Sequence, residues 1–371
     1  TNKLLAVTVA SQSDVESSTS SSESSSSSST TTTSTYSASA SSPQSQQFLM
    51  RIFGAEGIID RRIENALFKT LADAKIAPGY LGRFANGRCE QFLAGWSNFE
   101  HADIREPRVA ACVAFKLAQV HQFAVPPPLD QKFDSTRSGL WTQLKEWIHA
   151  LATLPIQDKQ LAEKVNNFCS EYLGGSTLAL LRERVDQFEK NVPPTALICF
   201  CHNDLLAFNI MYRQGGSKTG SLAPEDVQLI DFEYGCYNYR GFDLANHFCE
   251  WAGGSDDARP QYQHFPGKEA QRAFCKLYLE ALINSNEPPA PEAFERSLAD
   301  LAAEAEYFAP VAHVYWAVWA LNQARDEGCD EFDYLCFAQH RYEESSKLLA
   351  QRTVSATSPP PDEVSSKSDD S

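Results

Sequence analysis

Asp204 and Asn209 stand five residues apart in HNDLLAFNI, and a third polar group, Asp231, follows the apolar run VQLI and opens DFE. A carboxylate and an amide at this spacing suit phosphoryl transfer: the carboxylate takes the proton of an attacking hydroxyl and the amide oxygen binds Mg²⁺. A carboxylate at the end of a following strand grips the metal that bridges the phosphates. Each half alone is a weak signal, but together they describe one site. The stretch between them, MYRQGGSKTGSLAPEDVQ, is Gly-rich and reads as a hairpin connection that returns the second strand beside the first. His202 is expected to support the loop backbone and not to act as the base.

Upstream, Arg51 lies on a strand (QFLMRIFG) and Glu64 on the helix after it. That order suits a strand cation on the nucleotide phosphates held in place by a helix carboxylate, with Arg standing where Lys is usual. Glu90 to Leu93, including Phe92, then falls where a hinge backbone receives adenine. Asn203 replaces the Arg that couples such a loop to a phosphorylated activation segment, and Glu233 replaces the Gly of DFG. A small-molecule acceptor therefore fits better than a protein.

The elements that must position these groups follow from hydrophobic periodicity. LLAVTVA and QFLMRIFG alternate as strands, and RRIENALFKTLADAKIAP carries Ile63, Leu67 and Leu71 on one helical face, closed by Pro78. GYLGRFANGRCEQF reads as a hairpin around Asn86-Gly87. From about Glu106 the chain is mostly helical, with ALICFCHND and VQLIDFEY as its strands. The expected fold is α/β (α+β): an N-lobe over 1–93, a helical C-lobe over 94–350 and a polar tail over 351–371. Residues 11–46 are nearly all Ser, Thr, Ala and Gln, too polar to offset ordering entropy, and read as a disordered insertion between neighbouring strands. The opening TNKLLAVTVA already alternates as a strand in progress, and the natural start is expected upstream.

A chain of 371 residues with 43% hydrophobic content buries a sizeable core. Its net charge of -16 disfavours nucleic acid and anionic membranes as partners. The ten cysteines lack any C-x-x-C pair or zinc spacing and read as reduced and structural. With no membrane-length apolar run and no signal-peptide pattern, the expected compartment is the cytoplasm.

HNDLLAFNI, IDFEYGCYNYRGFDLANHFCEW and HVYWAVWALNQA resemble the choline/ethanolamine kinase family, and the similarity extends through MRIFG, IENALF and NGRCEQF to TNKLL. The resemblance implies a protein-kinase-like bilobal fold, ATP and Mg²⁺, and a phosphorylated amino alcohol that feeds phospholipid synthesis. It implies Asp204 as base, Asn209 and Asp231 as metal ligands and Glu233 as a further group of the metal shell. Thr1 and Asn2 resemble the end of the family's phosphate-covering loop, whose preceding glycines are absent. It also implies a cation pocket of Trp316, Trp319, Phe332 and Phe337, with Glu250 for charge pairing and Tyr234 as a further wall. Cation–π attraction contributes about 0.5–2 kcal/mol per ring.

Leu205 and Leu206 after Asp204, and AGGSDD after Trp251, lie closer to ethanolamine kinases than to choline kinases, which carry additional tyrosines in the second region. A primary ammonium gains from acceptors such as Glu250 and Ser255 or Asp256. The expected reaction is ATP-dependent phosphorylation of ethanolamine, with some choline activity. The alternatives are a choline kinase, a catalytically silent scaffold and a kinase of another alcohol such as an aminoglycoside. The oligomeric state is open, a homodimer being one option.

Overall fold

The computed structural model describes residues 3–9, 46–53, 60–214, 222–283 and 289–357. Alternation in KLLAVTV and QQFLMRI produces two strands, β1 (Lys3–Val9) and β2 (Gln46–Ile52), paired antiparallel from Lys3↔Ile52 to Val9↔Gln46. The Ser-rich stretch thus joins adjacent strand ends, as expected. Its residues up to 45, together with Thr1 and Asn2, lie outside the described residues.

Helix α1 (Arg61–Asp73) starts where the Asp60 side chain accepts from Arg62 N and Ile63 N, and it buries Leu67, Phe68 and Leu71. It stops at Asp73, short of the expected Pro78, because the chain turns through Ala74 and Lys75, the latter at φ 63°. Strands β3 (Tyr80–Phe84) and β4 (Gly87–Gln91) complete a sheet in the order β1-β2-β4-β3.

The hairpin turn is Ala85-Asn86 and not Asn86-Gly87, since Gly87 already pairs with Phe84. Gly87 is needed there for space: a Cβ would lie 2.2 Å from Arg51 O and 2.3 Å from the Phe84 ring. Gly87→Ala should therefore lower stability by about 1–3 kcal/mol. An unchanged midpoint in denaturant unfolding would show that the sheet has room.

The larger part begins with β5 (Trp96–Asn98) and continues through α2 (Pro107–His121), α3 (Leu140–Thr153), α4 (Lys159–Phe168) and α5 (Ala179–Lys190). Next come β6 (Ile198–Cys201), β7 (Ile210–Arg213), β8 (Val227–Leu229), β9 (Cys236–Tyr239) and α6 (Arg240–Glu250). Helices α7 (Lys268–Leu282), α8 (Pro291–Glu327) and α9 (Tyr334–Thr357) close the chain. Helix α9 runs past residue 350, where the tail was expected to begin.

Two connections differ from the sequence expectation. Strand β8 pairs with β7, and β6 pairs with β9, so β6 and β8, the strands that precede Asp204 and Asp231, are not neighbours. The hairpin instead runs from Ile210, just after Asn209, to Leu229, and Ile230 N donates to Asn209 O at 2.9 Å. Helix α6 is buried from Gly241 to Glu250, which makes it the element on which the site is built. No helix among the described residues is long and apolar enough to cross a membrane.

Candidate active site

β6 delivers the chain into a loop that departs from ordinary backbone at once: Asn203 has φ 66°, and Asp231 after β8 has φ 63°. Left-handed backbone at non-Gly residues costs about 1–3 kcal/mol each and persists only where surrounding bonds impose it. At Asn203 those bonds are plain. Asp243, fully buried on α6, accepts from His202 N at 2.7 Å and from Asn203 N at 2.9 Å. Asn246 Nδ2 donates to Asn203 O, Asn238 Nδ2 to Asn203 Oδ1, and Asn203 Nδ2 to Tyr234 O. Burial alone would raise the Asp243 carboxyl, but the His121 ring bonded to it at 3.1 Å and His202 hold it below its ordinary value.

His202 is a structural member of the loop, as expected. Its Nε2–H donates to Ile230 O at 2.9 Å and its Nδ1 accepts from Asp204 N at 3.3 Å, a pattern that needs the neutral ring. Burial lowers its pKa and favours that form.

Asp204 follows, with Asn209 Nδ2 donating to its Oδ2 at 3.1 Å and to its carbonyl at 2.8 Å. With its amide nitrogen committed to Asp204, Asn209 keeps Oδ1 as the acceptor a cation requires. Burial pushes the Asp204 carboxyl well above the usual carboxylate range, and Glu250, Asp231 and Glu233 push it further. Four carboxylates thus act on one another here, an arrangement that favours cations beside them.

Arg51 points into the site, but the partners that hold it are not the expected Glu64. Its NH1 lies 3.4 Å from both oxygens of Asp231, and its Nε donates to Glu90 Oε1 at 2.9 Å. Glu64 does not hold Arg51; it accepts from Arg88 NH1 at 2.5 Å, and Arg88 Nε donates to Glu90 Oε1 at 2.7 Å. Alternation explains the change: Arg88 and Glu90 on β4 point to the face of the sheet that α1 covers, so a second arginine stands between Glu64 and Arg51. The relay Glu64–Arg88–Glu90–Arg51–Asp231 links α1 to the carboxylate that follows β8.

Glu90 is therefore a buried ion-pair partner and not a hinge residue, its backbone paired with Leu49 on one side and Tyr80 on the other. The crossing to β5 is made by Phe92 to Gly95. Glu233 is held by Arg61 NH1 at 2.9 Å.

The aromatic residues expected around a cation do assemble. Tyr234 and Trp316 have ring centroids 5.5 Å apart, Trp316 and Trp319 5.3 Å, and Phe332 and Phe337 5.6 Å. Trp316 Nε1 donates to Asn246 Oδ1 and Trp319 Nε1 to Tyr234 OH, so both indoles are fixed by hydrogen bonds. Glu250 is 3% exposed and accepts from Arg341 NH2 through Oε1, while its Oε2 has no hydrogen-bond partner among the described residues. Ser255 Oγ is likewise buried without a partner, whereas Asp256 turns to His101 at 3.4 Å.

Sequence reasoning missed Arg88, Asp243 and Arg341. The last was detectable as a charge four residues after Phe337, on the same face of a helix. A cavity of about 390 Å³ between α1, α3 and the segment 233–238 reaches Glu233 and Tyr234 but is lined by neither Asp204 nor Asp231.

A small antiparallel sheet with one helix over a larger helical part, with two carboxylates and an amide at the junction, defines a protein-kinase-like phosphotransferase. The sequence profile of the choline/ethanolamine kinase family matches residues 24–346, and the chain belongs to that family of alcohol phosphotransferases. It is 32% identical over 303 residues to a probable ethanolamine kinase of Arabidopsis thaliana, covering 80% of this chain and 71% of that protein. It is 29% identical over 311 residues to a choline/ethanolamine kinase of Homo sapiens, covering 81% and 72%. A solved Plasmodium vivax ethanolamine kinase superposes with a TM-score of 0.67 at 25% identity, covering 81% of this chain and 76% of that one.

Proposed function

We propose that this chain transfers the γ-phosphoryl group of ATP to the hydroxyl of ethanolamine, with choline as a poorer acceptor. The observation that carries this reading is Glu250: its Oε2 is buried without a partner among the described residues, and its charge is the foremost acting on Asp204. A primary ammonium has three N–H donors with which to satisfy such an acceptor; a quaternary ammonium has none. Tyr234, Trp316 and Trp319 supply ring surface beside it.

Asp204 accepts the hydroxyl proton as the substrate oxygen bonds to the γ-phosphorus and the bond to the β–γ bridging oxygen breaks, releasing ADP. The ammonium of the acceptor brings positive charge to the carboxylates that raise Asp204, and so favours the ionised base. Asp231, Asn209 Oδ1 and Glu233 are hard oxygen donors and fit Mg²⁺. When bound there, the ion neutralises charge developing on the phosphates. Arg51 would reach the same phosphates from its place over Asp231.

The test is turnover of ATP with ethanolamine and choline side by side, using wild type and Glu250→Gln. Ethanolamine should show the higher kcat/KM, and Glu250→Gln should lower it about tenfold or more for ethanolamine, and less for choline. A clear choline preference in the wild type would overturn the substrate reading.

A further inference from the structure

Behind Glu250 stands a buried cation that the phosphoryl-transfer chemistry does not use. Arg341 on α9 is 1% exposed, and its NH2 donates to Glu250 Oε1. Its NH1 faces His313 Nδ1 at 3.4 Å, and its guanidinium carbon sits 4.9 Å from the centroid of the Phe337 ring. Burial and the charge of Arg341 hold His313 well below its ordinary pKa, so His313 is a neutral acceptor and adds no competing charge. Glu344, on the same helix, is occupied by Lys347 at 3.1 Å, which leaves Glu250 as the anion bonded to Arg341.

The arrangement divides the Glu250 carboxylate: one oxygen is pinned by Arg341 and the other has no partner among the described residues. The same guanidinium covers one face of Phe337, which restricts any bound cation to the rest of the aromatic cluster.

We infer that Arg341 is the positioning residue of the amine subsite, holding Glu250 by Oε1 so that Oε2 is presented in a fixed direction to an N–H of a primary ammonium. The inference rests on Glu250 as the ammonium partner. A buried carboxylate stripped of its cation does not stay both charged and in place. Arg341 therefore secures the acceptor although its own charge repels the substrate. A directed acceptor also serves a primary amine more than a quaternary one, so Arg341 contributes to the choice between the two.

Two substitutions in the full chain separate the elements of this role. Arg341→Lys keeps the charge and loses the planar fork; Arg341→Gln keeps a donor and loses the charge. Each should raise the KM for ethanolamine about tenfold, leave the KM for ATP and kcat within about threefold, and raise the KM for choline less. Joined to Glu250→Gln, either should add little to the KM already raised by that change, because the residue acts through Glu250.

A normal ethanolamine KM in a folded Arg341→Lys or Arg341→Gln protein, or a fully additive double variant, would overturn the inference while leaving Glu250 in its place. If Glu250→Gln itself leaves the ethanolamine KM unchanged, the amine partner is wrongly assigned and the inference falls with it. Thermal unfolding of each variant identifies any that fail to fold, and the one that folds decides the matter.

Discussion

Asp204→Asn is expected to lower kcat by about 10²–10⁴-fold, the range by which a positioned base accelerates proton transfer. The replacing amide has nearly the same shape, and its oxygen still accepts from Asn209 Nδ2, which bonds Asp204 at 3.1 Å. Stability should not fall. Burial and the neighbouring Glu250, Asp231 and Glu233 all oppose a charge at this position, so a neutral side chain relieves repulsion. The thermal midpoint should stay level or rise, the pattern of a residue kept for chemistry at a cost to the fold. Retention of more than a tenth of kcat would place the base elsewhere, and a falling midpoint would contradict the account of the site's charge.

Asp243→Ala should have the largest effect on the fold. It strips acceptors from His202 N, Asn203 N and His121 Nε2, all buried. Breaking a buried charge cluster by removing one partner costs about 3–5 kcal/mol, a large share of the roughly 5–15 kcal/mol that holds a domain. The left-handed backbone of Asn203 loses two of the bonds that impose it, so activity should drop beyond what the unfolded fraction explains. Asp243→Asn keeps one acceptor oxygen and should fall between. Denaturant unfolding and kcat on the folded fraction check both points. A loss under about 1 kcal/mol would show that the bonds from Asn238 and Asn246 hold the loop unaided.

Much of this site is legible before any folding is considered. Asp204, Asn209 and Asp231 are readable because the chemistry requires those side chains at short spacings along one stretch of chain, and local spacing survives folding. The same holds for the strands β1 and β2, whose alternation is local, and for Trp316 and Trp319, placed on one helical face by the period of the backbone. The long-range partners were not legible. Glu64 takes Arg88 in place of Arg51 because the register of β4 against β2 puts a second arginine on the face that α1 covers, and register is a property of the pairing.

The strand partners β6–β9 and β7–β8 were likewise not legible, since apolar runs such as ICFC and VQL carry no mark of which neighbour they will take. Glu250 shows the division most clearly. Its type and place near the aromatic residues already suggest an ammonium partner. That one of its oxygens is pinned by Arg341, 91 residues on, and the other left without a partner among the described residues is decided by the packing of both α9 and α6 on α8. Burial makes such pairs matter, and burial is a property of the folded molecule alone.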